Sequence, residues 1–234
     1  MEAMRMQGPS RVPTQWATHA PVPVGWMRQF RYMASLFEGL KEVEGDIVEC
    51  GLGEGNTFAM LAYLVGSESG RQSPRALWGF DSFLGWPEPT VYDLSPRNPQ
   101  RGEWRVDPQM VEERLEQSRI RQEFPNLDVT IVRGFLEETL PNFPDRPIAL
   151  LHLDLDLYPG YHAGLTYLFP MVVLGGLVLL DEYKEYPNLP EYDFGKIEKW
   201  PGATKAVDEY FDLPHNPCEL RYHSEAKKFY VVVG

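Results

Sequence analysis

Cysteine is scarce: the 234-residue sequence holds only Cys50 and Cys218, far apart in the chain. That excludes a disulfide scaffold and a cysteine metal cluster. It also makes a reducing, cytoplasmic compartment the expected location. Long apolar runs are missing too. A membrane span needs about 18 or more apolar residues, and the longest candidate, Met171 to Leu180, is shorter and interrupted by Gly175-Gly176. Positive charge is in deficit, with 22 Lys and Arg against 34 Asp and Glu, a net charge of −12. A nucleic-acid partner requires a basic surface, so none is expected, and anionic membranes are disfavoured. Met1 to Gly25 has neither an apolar signal core nor periodicity, and carries Pro9, Pro13, Pro21 and Pro23. It reads as an N-terminal arm, either a lid or dimer arm or a disordered tail.

What is present suits a globular enzyme-sized chain. Hydrophobic residues make up 43% and aromatics 13%, enough to exclude a disordered or fibrous protein. Residues 26–234 are expected to form one domain. From Trp26 to Lys41, Met27, Phe30, Met33, Phe37 and Leu40 fall at helical spacing. Strand-like and helix-like stretches then alternate. The strands are expected at Asp46–Cys50, Ala76–Phe80, Val129–Val132, Ile148–Leu157 and Leu177–Leu180. Helices are expected at Asn56–Val65, Pro108–Arg121, Tyr161–Met171 and Thr204–Phe211. Glu219–His223 and Lys228–Val233 read as a closing antiparallel hairpin. Such alternation implies a mostly parallel α/β sheet with helices on both faces. Two long connections, Leu84–Asp107 and Lys184–Pro201, are rich in aromatics and are either binding loops or surface decoration.

Gly51, Gly53 and Gly55 follow the first strand and precede a helix that opens at Asn56-Thr57. Such a turn lets backbone N–H groups approach a ligand closely. Glu49 at the strand end opposes a pyrophosphate but suits a ligand with a cationic amino acid part, which favours S-adenosylmethionine over a nicotinamide dinucleotide. Asp81, in Phe80-Asp81-Ser82-Phe83, ends the second strand, where a carboxylate accepts from ribose hydroxyls. Gly134, after the third strand, is placed near the adenine. His152, Asp154 and Asp156 alternate with leucines in Leu151 to Tyr158, and Asp181-Glu182 follows the next strand. Carboxylates converging on one rim repel unless neutralised, and a hard divalent cation such as Mg²⁺ would do so. The alternative is a strand with a polar solvent-facing side. His152 is either a proton acceptor or a packed strand histidine.

These segments together resemble the macrocin O-methyltransferase family. The resemblance rests on Val48 to Gly51, Gly79 to Pro89, Val132 to Phe135 with Thr139-Leu140-Pro141, His152 to Tyr158, Gly175 to Tyr183 and Ala203 to Asp208. It implies a Rossmann-like class I methyltransferase fold, a seven-stranded sheet with a C-terminal antiparallel hairpin. It also implies S-adenosylmethionine bound by Glu49, Gly51, Gly53, Asn56, Thr57, Asp81, Ser82 and Gly134. Mg²⁺ would be held by Asp154, Asp181 and Glu182, with Asp154 also a candidate general base and a small-molecule hydroxyl as acceptor. Where the family usually has two aspartates, this chain has Asp181-Glu182. A metal-independent methyltransferase, a catalytically silent cofactor-binding protein and a nicotinamide oxidoreductase are the rival readings. A homo-oligomer is neither indicated nor excluded.

Overall fold

The computed structural model describes residues 22–68, 74–185, 198–211 and 218–234. Its strands are β1 (Asp46–Cys50), β2 (Leu77–Asp81), β3 (Val129–Arg133), β4 (Ile148–Leu153), β5 (Val172–Leu180), β6 (Glu219–His223) and β7 (Lys228–Val232). They form one seven-stranded sheet in the order β3-β2-β1-β4-β5-β7-β6. The first five strands pair in parallel, and β7 runs antiparallel between β5 and β6. The expected Rossmann-like sheet with its terminal hairpin is therefore present. Strand order reverses between β1 and β4, where an open parallel sheet leaves a crevice beyond its strand tips.

The helices are α1 (Val24–Phe37), α2 (Asn56–Ser67), α3 (Gln109–Gln117), α4 (Ile120–Glu123), α5 (Leu136–Thr139), α6 (Tyr158–Leu168) and α7 (Pro201–Phe211). Every residue of β1 and β4 is buried, as expected for central strands covered on both faces. Ile47, Leu150 and Leu179 pack on one face with Met33, Phe58 and Leu115. Val48, Leu151 and Val178 pack on the other with Tyr161, Leu165 and Ala203. Burying each such side chain contributes about 1.5–3 kcal/mol. Among the described residues, no helix is long and apolar enough to cross a membrane.

Several boundaries differ from expectation for identifiable reasons. The stretch Pro108–Arg121 is two helices, because Arg119 takes φ 60 and the Ser118 hydroxyl bonds back to Arg114 O. β5 begins at Val172 because Gly175 N and Gly176 O bond to Val233 and continue the sheet. Helix α1 starts at Val24, inside the expected arm, while residues 1–21 lie outside the described residues. Most of the expected Lys184–Pro201 loop, residues 186–197, lies outside them too.

The most consequential difference is at β4, which ends at Leu153 and not at Leu157. Asp156 adopts φ 61 and Leu157 N bonds to Leu155 O at 2.6 Å, so the chain turns into α6. The amides of Leu155 and Asp156 go instead to Glu182 Oε2, at 3.2 and 3.3 Å. Asp93 secures the turn by accepting from Tyr158 N at 2.7 Å. The strict strand alternation expected for His152, Asp154 and Asp156 thus stops after His152.

Candidate active site

A cavity of about 730 Å³ opens at the carboxyl ends of the parallel strands. Gly51, Gly53, Asn56, Thr57, Asp81 and Gly134 line one part of it. Asp154, Asp156, Asp181 and Glu182 line another part. Asp81, Asp154 and Asp181 therefore share one edge of the sheet.

The glycine loop is built by close backbone approach. Gly51 has φ 89, and a Cβ there would stand 1.7 Å from the Asp154 carbonyl oxygen. Gly53 has φ 48, and a Cβ there would meet nothing within 4 Å. Asp81 fixes the loop: Oδ2 accepts from Leu52 N and Gly53 N at 2.8 and 3.0 Å, and Oδ1 from Phe83 N at 2.7 Å. Oδ1, which accepts only one of these bonds, retains a lone pair for a further donor. The Ser82 hydroxyl is used inside its own turn, donating to Gly85 O and accepting from Leu84 N. Gly134 N donates to Asp81 O at 3.0 Å, tying the third strand end to the second.

Glu49 and His152 do not belong to the cavity wall. Both are fully buried beneath it, opposite one another on β1 and β4. Glu49 Oε1 accepts from the Thr57 hydroxyl at 2.5 Å and lies 3.0 Å from His152 Nδ1. Glu49 Oε2 has no hydrogen-bond partner. A buried carboxylate oxygen in that state fits a cationic donor, and the amino group of S-adenosylmethionine is one. His152 Nε2 also lacks a hydrogen-bond partner, with Asp181 Oδ1 3.7 Å away. Burial pulls the imidazole down, but Asp181 and Glu49 more than offset it and raise it to about 9. Sealed beneath the cavity floor, the ring matches a packed strand histidine better than the expected base.

The carboxylates at the acidic end hold one another in unusual states. Burial, then the charges of Asp181 and Glu182, push Asp154 well above the carboxylate range. Burial, then Asp156 and Asp181, push Glu182 up to about 8. The Glu182 carboxylate is thus one of the neighbours that disfavour ionisation of Asp154. Burial raises Asp156 to about 6 against a 2.9 Å bond from Trp86 Nε1. Asp181 goes the other way. Burial opposes its ionisation, but Lys228 and His152 hold it well below the usual range.

Among the described residues, one set at this end suits a divalent cation. His152, Asp154 and Asp181 each offer a ligand atom within 4.8 Å of the others. Ligand oxygens around an ion at about 2.1 Å lie about 3–4 Å apart, so small side-chain movements would close such a site. Glu182, expected as a third ligand, is largely committed: its Oε2 also stands 2.7 Å from the Tyr161 hydroxyl. Oxygen-rich donors and a surplus of negative charge fit Mg²⁺ better than a softer metal.

Some cavity residues went unassigned from sequence alone. Lys228, from β7, stands 2.6 Å from Asp181 Oδ2. Within Lys227-Lys228 at a hairpin turn it carries only the signal of a solvated charge. Trp86, Trp104 and Trp200 line the cavity mouth, with Trp86–Trp200 centroids 5.3 Å apart and Trp86–Trp104 6.5 Å apart. Arg97 lies over Trp86 at 4.9 Å, and Lys199 over Trp200 at 4.9 Å. Their loop positions are aromatic in sequence, but nothing in the sequence says that they meet.

Comparison with known proteins agrees with this geometry. The chain is 30% identical over 179 residues to demethyldecarbamoylnovobiocin O-methyltransferase of Streptomyces niveus, covering 73% of this chain and 61% of that protein. It is 28% identical to 8-demethyl-8-(2,3-dimethoxy-alpha-L-rhamnosyl)-tetracenomycin-C 4'-O-methyltransferase of Streptomyces olivaceus, covering 72% and 64% respectively. The chain thus spans about three fifths of the length of the curated relatives it matches. Among solved structures, the calicheamicin methyltransferase CalS11 superposes with a TM-score of 0.71 at 26% identity, covering 94% of this chain and 90% of that one. NovP, an O-methyltransferase, shares the fold with a TM-score of 0.67 at 24% identity, covering 87% and 78%. The sequence profile described as macrocin-O-methyltransferase (TylF) matches residues 14–205, from ahead of α1 into α7, and the chain belongs to that family.

Proposed function

We propose that this chain is an S-adenosylmethionine-dependent O-methyltransferase that acts on a hydroxyl of a small natural-product or sugar acceptor with the help of Mg²⁺. The observation that carries this reading is the single cavity shared by the glycine loop and the acidic cluster. The relatives' names support the acceptor class, and the tetracenomycin enzyme's name specifies a rhamnosyl substrate.

S-adenosylmethionine supplies an electrophilic methyl group on a sulfonium, and a bound divalent cation lowers the pKa of a coordinated hydroxyl. The chain supplies the rest. Gly51 and Gly53 would let the backbone approach the nucleoside, and Asp81 Oδ1 has a lone pair left for a ribose hydroxyl. Glu49, sealed beneath the cavity, would accept from the cofactor's ammonium through its unpartnered oxygen. Asp154, Asp181 and Glu182 would hold the cation, with His152 Nε2 beside them. Asp154 is the proton acceptor: a carboxyl pushed up by burial is a stronger base once its proton has gone. Aligning oxygen, methyl carbon and sulfur then contributes several kcal/mol to the rate.

Asp154→Asn tests the reading. Methyl transfer should fall by about 10²-fold or more, while binding of S-adenosylhomocysteine, followed by calorimetry, stays near wild type. Retained turnover would remove Asp154 from the mechanism. A metal-independent enzyme is the second reading, favoured by Lys228 on Asp181 and by the bonds that occupy Glu182. Turnover that survives a chelator and gains nothing from added Mg²⁺ would select it.

A further inference from the structure

Lys228 is the first residue of β7, the strand that flanks β5. Its ammonium lies 2.6 Å from Asp181 Oδ2 and 2.7 Å from the Asp181 backbone oxygen. Both side chains are mostly covered, at 19% and 18% exposure, and both line the cavity. The contact is therefore no surface ion pair of negligible strength. Two of the three ammonium donors go to one residue of the acidic cluster.

We propose that Lys228 is a tethered cation that competes with the divalent ion for Asp181 and so sets how tightly this cluster binds metal. The proposal rests on the reading of Asp154, Asp181 and Glu182 as the cation site. An ion approaching Asp181 meets a positive charge already in contact with that carboxylate. It must share the carboxylate or displace the ammonium. Because the lysine is part of the sheet, it competes without the loss of translational freedom that a free ion suffers on binding. Like-charge repulsion at this distance in a mostly covered site further weakens the ion. Lys228 is thus a positioning residue: it holds Asp181 and tunes its availability, and takes no proton in the reaction.

The test is calorimetric titration of the purified full chain with Mg²⁺ alone, and with Mn²⁺ alone, in wild type, Lys228→Met and Lys228→Arg. Methionine keeps the stem and removes the charge, while arginine keeps the charge. Lys228→Met should bind the ion at least about tenfold tighter, the effect of one lost competing charge, and Lys228→Arg should stay within about threefold of wild type. A purely structural stem role would not separate the two variants by charge. Should far-UV circular dichroism show Lys228→Met unfolded, Lys228→Gln takes its place. Tightening in the neutral variant alone supports the proposal, even if wild type binds no ion, in which case Mg²⁺ assistance in the native enzyme fails separately. Equal or weaker binding in the neutral variant, or equal tightening in the arginine variant, overturns the proposal and leaves the metal reading standing where wild type binds. Absence of binding in all of them overturns both.

Discussion

Glu49 and His152 face each other across β1 and β4, with the imidazole Nδ1 3.0 Å from the carboxylate Oε1. The ring is held between Glu49 and Asp181, an acid of the cluster. Its raised pKa means that the folded state favours the imidazolium. The resulting stabilisation is fully present below pH about 6.5, the unfolded value. It is lost as pH rises through about 9. Thermal melts of wild type and His152→Gln should therefore differ most near pH 6 and converge toward pH 9.5. A gap independent of pH would show that the fold does not raise the imidazole.

Gly51 and Gly53 should respond differently to alanine. At Gly51 a methyl group collides with the Asp154 carbonyl, and the backbone conformation is itself unfavourable. A loss of about 3 kcal/mol or more in urea denaturation is expected for Gly51→Ala. Gly53→Ala meets no neighbour and should lose only about 1–2 kcal/mol from its left-handed backbone. Its defect should appear in S-adenosylhomocysteine affinity, because the added methyl lies where the ligand would approach.

Glu182 is raised from the ordinary 4.5 to about 8, chiefly by burial. A raised carboxyl favours its protonated form in the fold. The stability it gives is full below about pH 4.5 and lost as pH climbs through about 8. Glu182→Gln is always neutral and its amide oxygen can accept from Leu155 and Asp156. The variant should melt close to wild type near pH 4.5 and increasingly above it up to about pH 8.5. No divergence across that window would mean that burial and its acidic neighbours do not raise Glu182.

Trp104 is 71% exposed, yet lines the cavity mouth beside Trp86. So large an apolar surface in water is suited to stacking against an acceptor. Trp104→Ala should raise the acceptor KM about tenfold while changing kcat less than about twofold, the signature of lost ground-state binding. Binding of S-adenosylhomocysteine and thermal stability should be unaffected. A fall in kcat at constant KM would contradict an acceptor-binding role.

The strand positions and the glycine loop were legible because periodicity and glycine spacing are local signals. Gly51 to Asn56 follows a buried strand and opens a helix where the pattern says it should. The convergence of Asp154, Asp181 and Glu182 was also legible, since adjoining parallel strands bring their tips together. What escaped depends on turns and on distant pairing. Alternation from Leu151 to Leu157 imitates a strand, and only Glu182 taking the amides of Leu155 and Asp156 reveals the turn. His152 reads as either a proton acceptor or a packed strand histidine, and in space it is sealed under the floor. Lys228 comes from a strand whose place next to β5 is fixed by the antiparallel hairpin, so its contact with Asp181 has no sequence signature.

The glycine at position 51 lets two backbones touch where a side chain would keep them apart. The nucleoside end and the acid end of the pocket are thereby mechanically joined: displacing one pushes on the other. Variation in what the protein accepts is best sought away from these strand tips. Trp104, exposed to water and away from those strand tips, can change without disturbing that joint.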